Sequence, residues 1–261
     1  MIFAAGLGTR LRPLTNDRPK ALVEVGGMPL LEITIRRLKH YGCTEIVINV
    51  HHFAEKIIAF LKEKNNFGII IHISDERDWL LETGGGLKKA ISFFTDNEPF
   101  LVCNADILTD LDLRKMYDAH CESKAIATVA VRNRETSRYL VFNKKQELVG
   151  WRNVKTEEVK WSKKTREDLT KNLAFSGIHV ISPAFFDYFP KREKAFSIIP
   201  VYLKAAKKER VLAYPHNETI WLDVGKLPAL KEAEKIVALV IPTKVEESEL
   251  TSHQIPPLRS E

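Results

Sequence analysis

The chain has 261 residues, of which 44% are hydrophobic, enough for one large α/β domain with a full core. Its 40 Lys and Arg against 34 Asp and Glu leave a net charge of +6, but they are scattered along the chain rather than gathered with aromatics, which argues against nucleic acid as a partner. No run approaches the roughly eighteen apolar residues of a membrane span, and no charged leader precedes the first apolar run. With Cys43, Cys103 and Cys121 forming no Cys-x-x-Cys pair, a reducing, cytoplasmic setting without a membrane partner is expected.

The first apolar run, residues 2–5, reads as a buried strand that breaks into Gly6-Leu7-Gly8-Thr9-Arg10. Glycines there let backbone N–H groups approach a phosphate closely, and Arg10, Arg12, Arg18 and Lys20 bring mobile cations to the same loop. A polyanionic ligand is the natural guest. A dinucleotide fingerprint would need a glycine where Leu11 stands, and the Gly-Lys-Ser/Thr of a P-loop does not occur.

Residues 29–41 carry Leu31, Ile35 and Leu38 at helical spacing with Gly42 as a stop; a strand at 45–50, a helix at 54–65 and a strand at 69–74 continue a βαβ rhythm. Thr83-Gly84-Gly85-Gly86 should open a helix rather than lie inside one, because glycine is costly in a helix interior. A strand at 100–104, a helix at 111–121 and a strand at 125–131 complete the first half. The expected fold class is α/β: a Rossmann-like, doubly wound, mostly parallel but mixed central sheet with helices on both faces.

From Arg138 short strands at 139–142, 147–151 and 174–181 predict a small β-rich subdomain, followed by helices at 183–189 and 197–208. The polar insert 152–171 reads as a long hairpin or a flap. A strand at 219–223 and a helix at 226–238 close the domain, and residues 241–261 have too little apolar content to fold, so a disordered tail is expected.

Asp106 ends the apolar strand Phe100-Leu-Val-Cys-Asn-Ala-Asp106, at the carboxyl edge where open sheets bind ligands. By position alone it is either a metal ligand or a turn former. Asp110-Leu111-Asp112 has a metal-binding form but precedes a helical pattern, so Thr109 and Asp110 read better as capping residues. His51 and His52 read as a loop pair. No Ser/His/Asp or Cys/His constellation surrounds these motifs.

Gly6-x-Gly8-Thr9-Arg10-Leu11-x-Pro13-Leu14-Thr15, followed by Pro19-Lys20-x-Leu22, resembles the signature of the sugar-1-phosphate nucleotidylyltransferases, the nucleoside-diphosphate-sugar pyrophosphorylases, over residues 1–240. The resemblance implies that a nucleoside triphosphate and a sugar-1-phosphate are the partners, joined with release of pyrophosphate. It places Ala4, Ala5, Gly6, Gly8, Thr9, Arg10, Asn104 and the loop Glu82, Thr83, Gly84, Gly85, Gly86 on the nucleotide. Asp106 and Asp223, the latter in Trp221-Leu222-Asp223-Val224-Gly225, would share one Mg²⁺. Arg10 and Lys20 would be catalytic through the phosphates, and Asn172 and Gly177 would face the sugar. On this reading residues 1–131 are a nucleotide-binding half and 132–240 a sugar-binding half carrying the flap.

Two segments depart from the family pattern: Tyr139-Leu140-Val141 lacks a glycine, and Gly150-Trp151-Arg152-Asn153 replaces a Glu-Glu-Lys-Pro run. Within the family the chain looks closest to the bacterial N-acetylmuramate-1-phosphate uridylyltransferases of peptidoglycan recycling, with mannose-1-phosphate guanylyltransferases sharing most features. Two other readings are a cytidylyltransferase acting on a phosphoalcohol such as phosphocholine, caged by Trp151 and Trp161, and a non-catalytic nucleotide sensor.

Overall fold

A computed structural model describes residues 1–241; apart from Ile241, the tail expected at 241–261 lies outside the described residues. In chain order the elements are β1 (Ile2–Phe3), β2 (Glu24–Val25), β3 (Met28–Pro29), α1 (Leu30–His40), β4 (Glu45–Val50), α2 (Ala54–Glu63), β5 (Ile70–Asp75) and α3 (Glu82–Lys89). There follow β6 (Phe100–Asn104), β7 (Ile107–Thr109), α4 (Leu113–Ser123), β8 (Ala127–Arg132), β9 (Arg138–Phe142), β10 (Leu148–Asn153), β11 (Glu158–Trp161) and β12 (Lys171–Ile181). The last elements are α5 (Ile198–Ala205), β13 (Val211–Pro215), β14 (Trp221–Asp223) and α6 (Leu227–Val240). No helix among the described residues is long and apolar enough to cross a membrane.

The chain divides into two compact units, and neither is a continuous half. Unit 1 comprises Met1–Leu80, Cys103–Arg114 and the chain from Thr219; unit 2 comprises Leu81–Val102 and Lys115–Glu218. The chain passes between the units after Leu80, within β6, within α4 and after Glu218.

Unit 1 contains the Rossmann-like parallel sheet. Ile2 and Phe3 pair with Ile48 and Asn49 of β4 on one side and with Cys103 and Asn104 at the end of β6 on the other, and β4 pairs along its length with β5. Each parallel crossover is made by an amphipathic helix. The end of α1 follows from its sequence: Gly42 takes φ +86°, and the N–H groups of Gly42 and Cys43 donate to the carbonyls of Lys39 and Leu38, which satisfies carbonyls the helix leaves open. Its basic residues Arg37, Lys39 and His40 fall in the last turn, where the helix dipole favours them.

Unit 2 is β-rich. β11, β10, β9, β12 and β8 pair successively antiparallel, and β13 joins β8 in parallel. Only the first part of the insert at 152–171 lies in a hairpin, β10 with β11, with Asn153 opposite Glu158 and Gly150 opposite Trp161. The rings of Phe94, Phe100, Phe186, Phe189 and Phe196 contact one another in sequence beside the fully buried Phe185 and Tyr202.

The triple glycine departs from the sequence expectation. Gly84, Gly85 and Gly86 lie buried within α3 rather than ahead of it. The N–H groups of Gly84 and Gly85 donate to the Phe196 carbonyl, and a Cβ on Gly84 would stand 2.5 Å from the Phe196 ring. Lys88, one turn on, donates from Nζ to the carbonyls of Pro190, Lys191 and Glu193. Close approach of the 190–196 backbone outweighs the helix cost of the glycines, of order 1 kcal/mol each.

Candidate active site

Unit 1 assembles the first glycine turn, two cations and two carboxylates around one apolar cluster. That cluster contains Leu11, Val23, Val25, Leu30, Ile33, Leu108, Val224, Ala233, Val237 and Val240. Leu11 follows Arg10, Val23 lies three positions after Lys20, Leu108 two after Asp106, and Val224 directly after Asp223. Hydrophobic burial therefore anchors the chain beside each charged side chain while the charge stays at the periphery. α6 completes the cluster through Ala233, Val237 and Val240.

Gly8 sits in the left-handed region at φ +65°, and a Cβ there would lie 3.0 Å from both the Lys20 Cβ and the Thr15 Cγ2. Thr15 Oγ1 and the Leu11 N–H both donate to the Gly8 carbonyl, each at 2.9 Å. The glycine is thus required by backbone geometry and by the Lys20 stem packed on it. Gly6 faces open space, and Gly6, Thr9 and Arg10 are exposed while Ala4 and Ala5 are buried.

The two acids meet through a short antiparallel pair. β14 runs beside β7, placing Asp223 opposite Ile107, and the Val224 N–H donates to the Asp106 carbonyl at 2.9 Å. Lys20 Nζ contacts Asp106 Oδ2 and lies 4.0 Å from Asp223 Oδ1, its side chain only 13% exposed. A Cβ on Gly225 would stand 2.6 Å from Asp223 Oδ1, 2.8 Å from Arg10 Nη2 and 3.3 Å from Lys20 Nζ. Gly225 thereby marks the point where Arg10, Lys20 and Asp223 converge.

Supporting groups escaped the sequence reading. Asn49, within the apolar run 46–50 of β4, accepts the Ala4 N–H at 2.7 Å and donates to Glu76 Oε1 at 2.8 Å, both side chains being buried. A lone Asn in an apolar strand was the available signal. His51 Nδ1 bonds the Glu76 carbonyl at 2.7 Å, so this member of the histidine pair has a structural partner. On α1, Thr34 Oγ1 lies 2.9 Å from the Leu30 carbonyl and 3.3 Å from that of Ala105, and Arg37 Nη2 donates to the Leu111 carbonyl. The segment bearing Asp106 is held on both sides.

Thr109 Oγ1 accepts the Leu111 N–H at 3.1 Å, a local turn bond, whereas Asp110 Oδ1 accepts the N–H of Ile220 at 2.8 Å and so ties this segment to the chain just ahead of β14 rather than to α4. Cys103 is buried, Cys43 is half-buried and Cys121 is exposed; burial pushes the Cys43 thiol up to about 12 and raises that of Cys103, which makes both inert as nucleophiles.

Residues 1–238 match the family model described as nucleotidyl transferase. The chain belongs to that family. N-acetylmuramate alpha-1-phosphate uridylyltransferases from Neisseria meningitidis and Caulobacter vibrioides are 33% and 34% identical to this nucleotidyltransferase, over 90% and 91% of its length and 96% of theirs. The inositol-1-phosphate CTP transferase of T. maritima shares the fold, with a TM-score of 0.71 at 17% identity across 98% of this chain and 96% of that one.

The remaining expected residues of this nucleotidyltransferase belong to unit 2, apart from Asn104, which pairs with Phe3 at the end of β6. Glu82 is exposed with φ +58°, and Thr83 Oγ1 accepts the Ile198 N–H at 3.0 Å, helping Ser197 to start α5. A Cβ on Gly84 or Gly85 would meet the 194–196 backbone and the Phe196 ring. Asn172 is exposed opposite Val141, whereas Gly177 is buried at φ +77° in a register shift of β12. The five residue steps from one to the other span roughly 16 Å of strand, so the two do not come together.

The aromatic cage is not formed. Trp151 pairs across the hairpin with Lys160, whose Nζ lies 5.4 Å from its ring centroid, while Trp161 pairs with Gly150. Opposed residues share a face and successive residues alternate, so the two indoles lie on opposite faces.

Proposed function

We propose that this nucleotidyltransferase joins UTP to N-acetylmuramate-1-phosphate, giving the UDP-sugar and pyrophosphate. The observation that carries the transfer reaction is the convergence of Arg10, Lys20, Asp106 and Asp223 beside the Gly8 turn. The choice of base and sugar is supported by the two uridylyltransferases, whose length this chain matches at 96%.

In the proposed reaction a phosphate oxygen of the sugar-1-phosphate attacks the α-phosphorus of UTP, and the bond to the β-phosphate breaks. The attacking oxygen is already anionic, so no general base is required. Open backbone at Gly6 and the turn at Gly8 would receive the triphosphate, Arg10 would neutralise the departing β- and γ-phosphates, and Lys20 would bridge the α-phosphate and the sugar phosphate. Asp106 and Asp223 supply hard oxygen donors suited to Mg²⁺, an ion that keeps several waters and is completed by substrate phosphates. When bound, Mg²⁺ would offset the negative charge that develops on pyrophosphate.

The deciding experiment is a matrix of four nucleoside triphosphates against a panel of sugar-1-phosphates, scored by pyrophosphate release. Preference for UTP with N-acetylmuramate-1-phosphate is expected. Preference for GTP with mannose-1-phosphate would reassign the substrates, and binding without turnover across the matrix would favour the sensor reading.

A further inference from the structure

We infer that Lys20 occupies the cation seat of its own active site, so that a divalent ion and the lysine exchange places on Asp106. The inference rests on the reading of Asp106 and Asp223 as that seat. Lys20 is guided at both ends: its Cβ packs 3.0 Å from the position a Gly8 Cβ would take, and its Nζ reaches 3.3 Å from the corresponding position at Gly225. Between these glycines the ammonium contacts Asp106 and stands 4.0 Å from Asp223 Oδ1.

A Mg²⁺-sized ion takes its oxygen ligands at about 2.1 Å, so it and an ammonium cannot both sit against the same carboxylate pair without close like-charge contact. Entry of the ion therefore requires Lys20 to leave Asp106. The displaced ammonium remains tethered beside the Gly8 turn, where a phosphate would be its partner. Occupation of the seat and capture of phosphate are thereby linked, and thermodynamic linkage makes the effect reciprocal. Without ligands, the lysine compensates the two acids and resists loading by the ion alone.

The test is Mn²⁺ binding to the full chain without nucleotide, followed by calorimetry and by the electron paramagnetic resonance of free Mn²⁺. Lys20→Met should bind Mn²⁺ about tenfold more tightly than wild type even as its turnover falls. Lys20→Gln should do the same, whereas Lys20→Arg should stay as weak as wild type. Adding Asp106→Asn to Lys20→Met should abolish the gain. Circular dichroism establishes that each variant is folded, and the two neutral variants guard against failure of either one. Equal Mn²⁺ affinity in wild type and in whichever neutral variant folds would overturn the exchange, as would tightening by Lys20→Arg. Failure of the underlying reading looks different: Asp106→Asn would then leave the metal dependence of pyrophosphate release unchanged.

Discussion

The backbone N–H of Val224 bonds the carbonyl of Asp106 at 2.9 Å, and this one link sets two acids 117 positions apart in the chain around a common lysine. β7 and β14 are only three residues each, yet they give the carboxylates a shared backbone frame. Preorganisation of this kind lets charged groups act without reorganising during reaction.

Replacing Asp106 by Asn keeps the side-chain shape and removes its charge. The expected loss in kcat is on the order of a hundredfold to a thousandfold, with the melting temperature within about 4 °C of wild type, because the lost partner of Lys20 is partly solvent-exposed. Pyrophosphate release and thermal denaturation measure the two effects. Wild-type turnover in this variant would remove Asp106 from the reaction.

Gly225→Ala tests the convergence point. The added methyl would fall 2.6 Å from Asp223 Oδ1 and 2.8 Å from Arg10 Nη2, so the charged tips must spread. A misplacement of about 1 Å can cost roughly a hundredfold in rate. The expected variant is folded by circular dichroism and slowed by at least about tenfold in kcat; unaltered kinetics would show that these tips do not act from their observed positions.

Gly84→Ala sets two effects against each other. Alanine gains up to about 1 kcal/mol in a helix, but its Cβ would enter the Phe196 ring at 2.5 Å and approach the Phe196 carbonyl at 2.8 Å. Overpacking costs about 1–3 kcal/mol, so net destabilisation is expected in urea titrations, with a lower midpoint. A variant more stable than wild type would contradict the packing role.

Acid should weaken unit 2 through its buried histidines. His120 bonds the Thr128 and Ser182 hydroxyls, and burial lowers its pKa to about 4; His179, bonded to Tyr202, falls to about 3 for the same reason. Both are neutral in the fold, whereas the unfolded chain takes up protons near pH 6.5. Stability is therefore complete above that value and declines as pH falls toward 4, by on the order of 3 kcal/mol for each histidine. Urea midpoints at about pH 7.5 and about pH 4.5 measure the decline, which His120→Gln should make shallower. An identical decline in that variant would exclude His120 as a source.

Continuous apolar runs and helical spacing made β4, β6 and α1 legible, since burial on a sheet dictates those patterns directly. β7 and the β2–β3 hairpin were not read because elements of two or three residues carry no measurable period. β13, with its short half-buried Val211–Pro215 run, escaped for want of alternation. Asp106 was visible from its place at a strand end, but its meeting with Asp223 depends on pairing across 117 positions, which only the family resemblance suggested. The glycines of α3 misled for a different reason: their neighbour is backbone from residues 194–196, and local propensity contains no trace of so distant a contact.

The order of synthesis inherits a constraint from the discontinuous first unit. A ribosome releases Leu11, Val23, Leu30 and Ile33 long before Val224, Ala233, Val237 and Val240, the residues that cover them. The emerging polypeptide must keep that apolar surface uncovered, or shielded by chaperones, until α6 has been made. A message truncated ahead of Trp221 would yield a product with the glycine turn and Asp106 but without Asp223 or the α6 residues that cover this apolar surface.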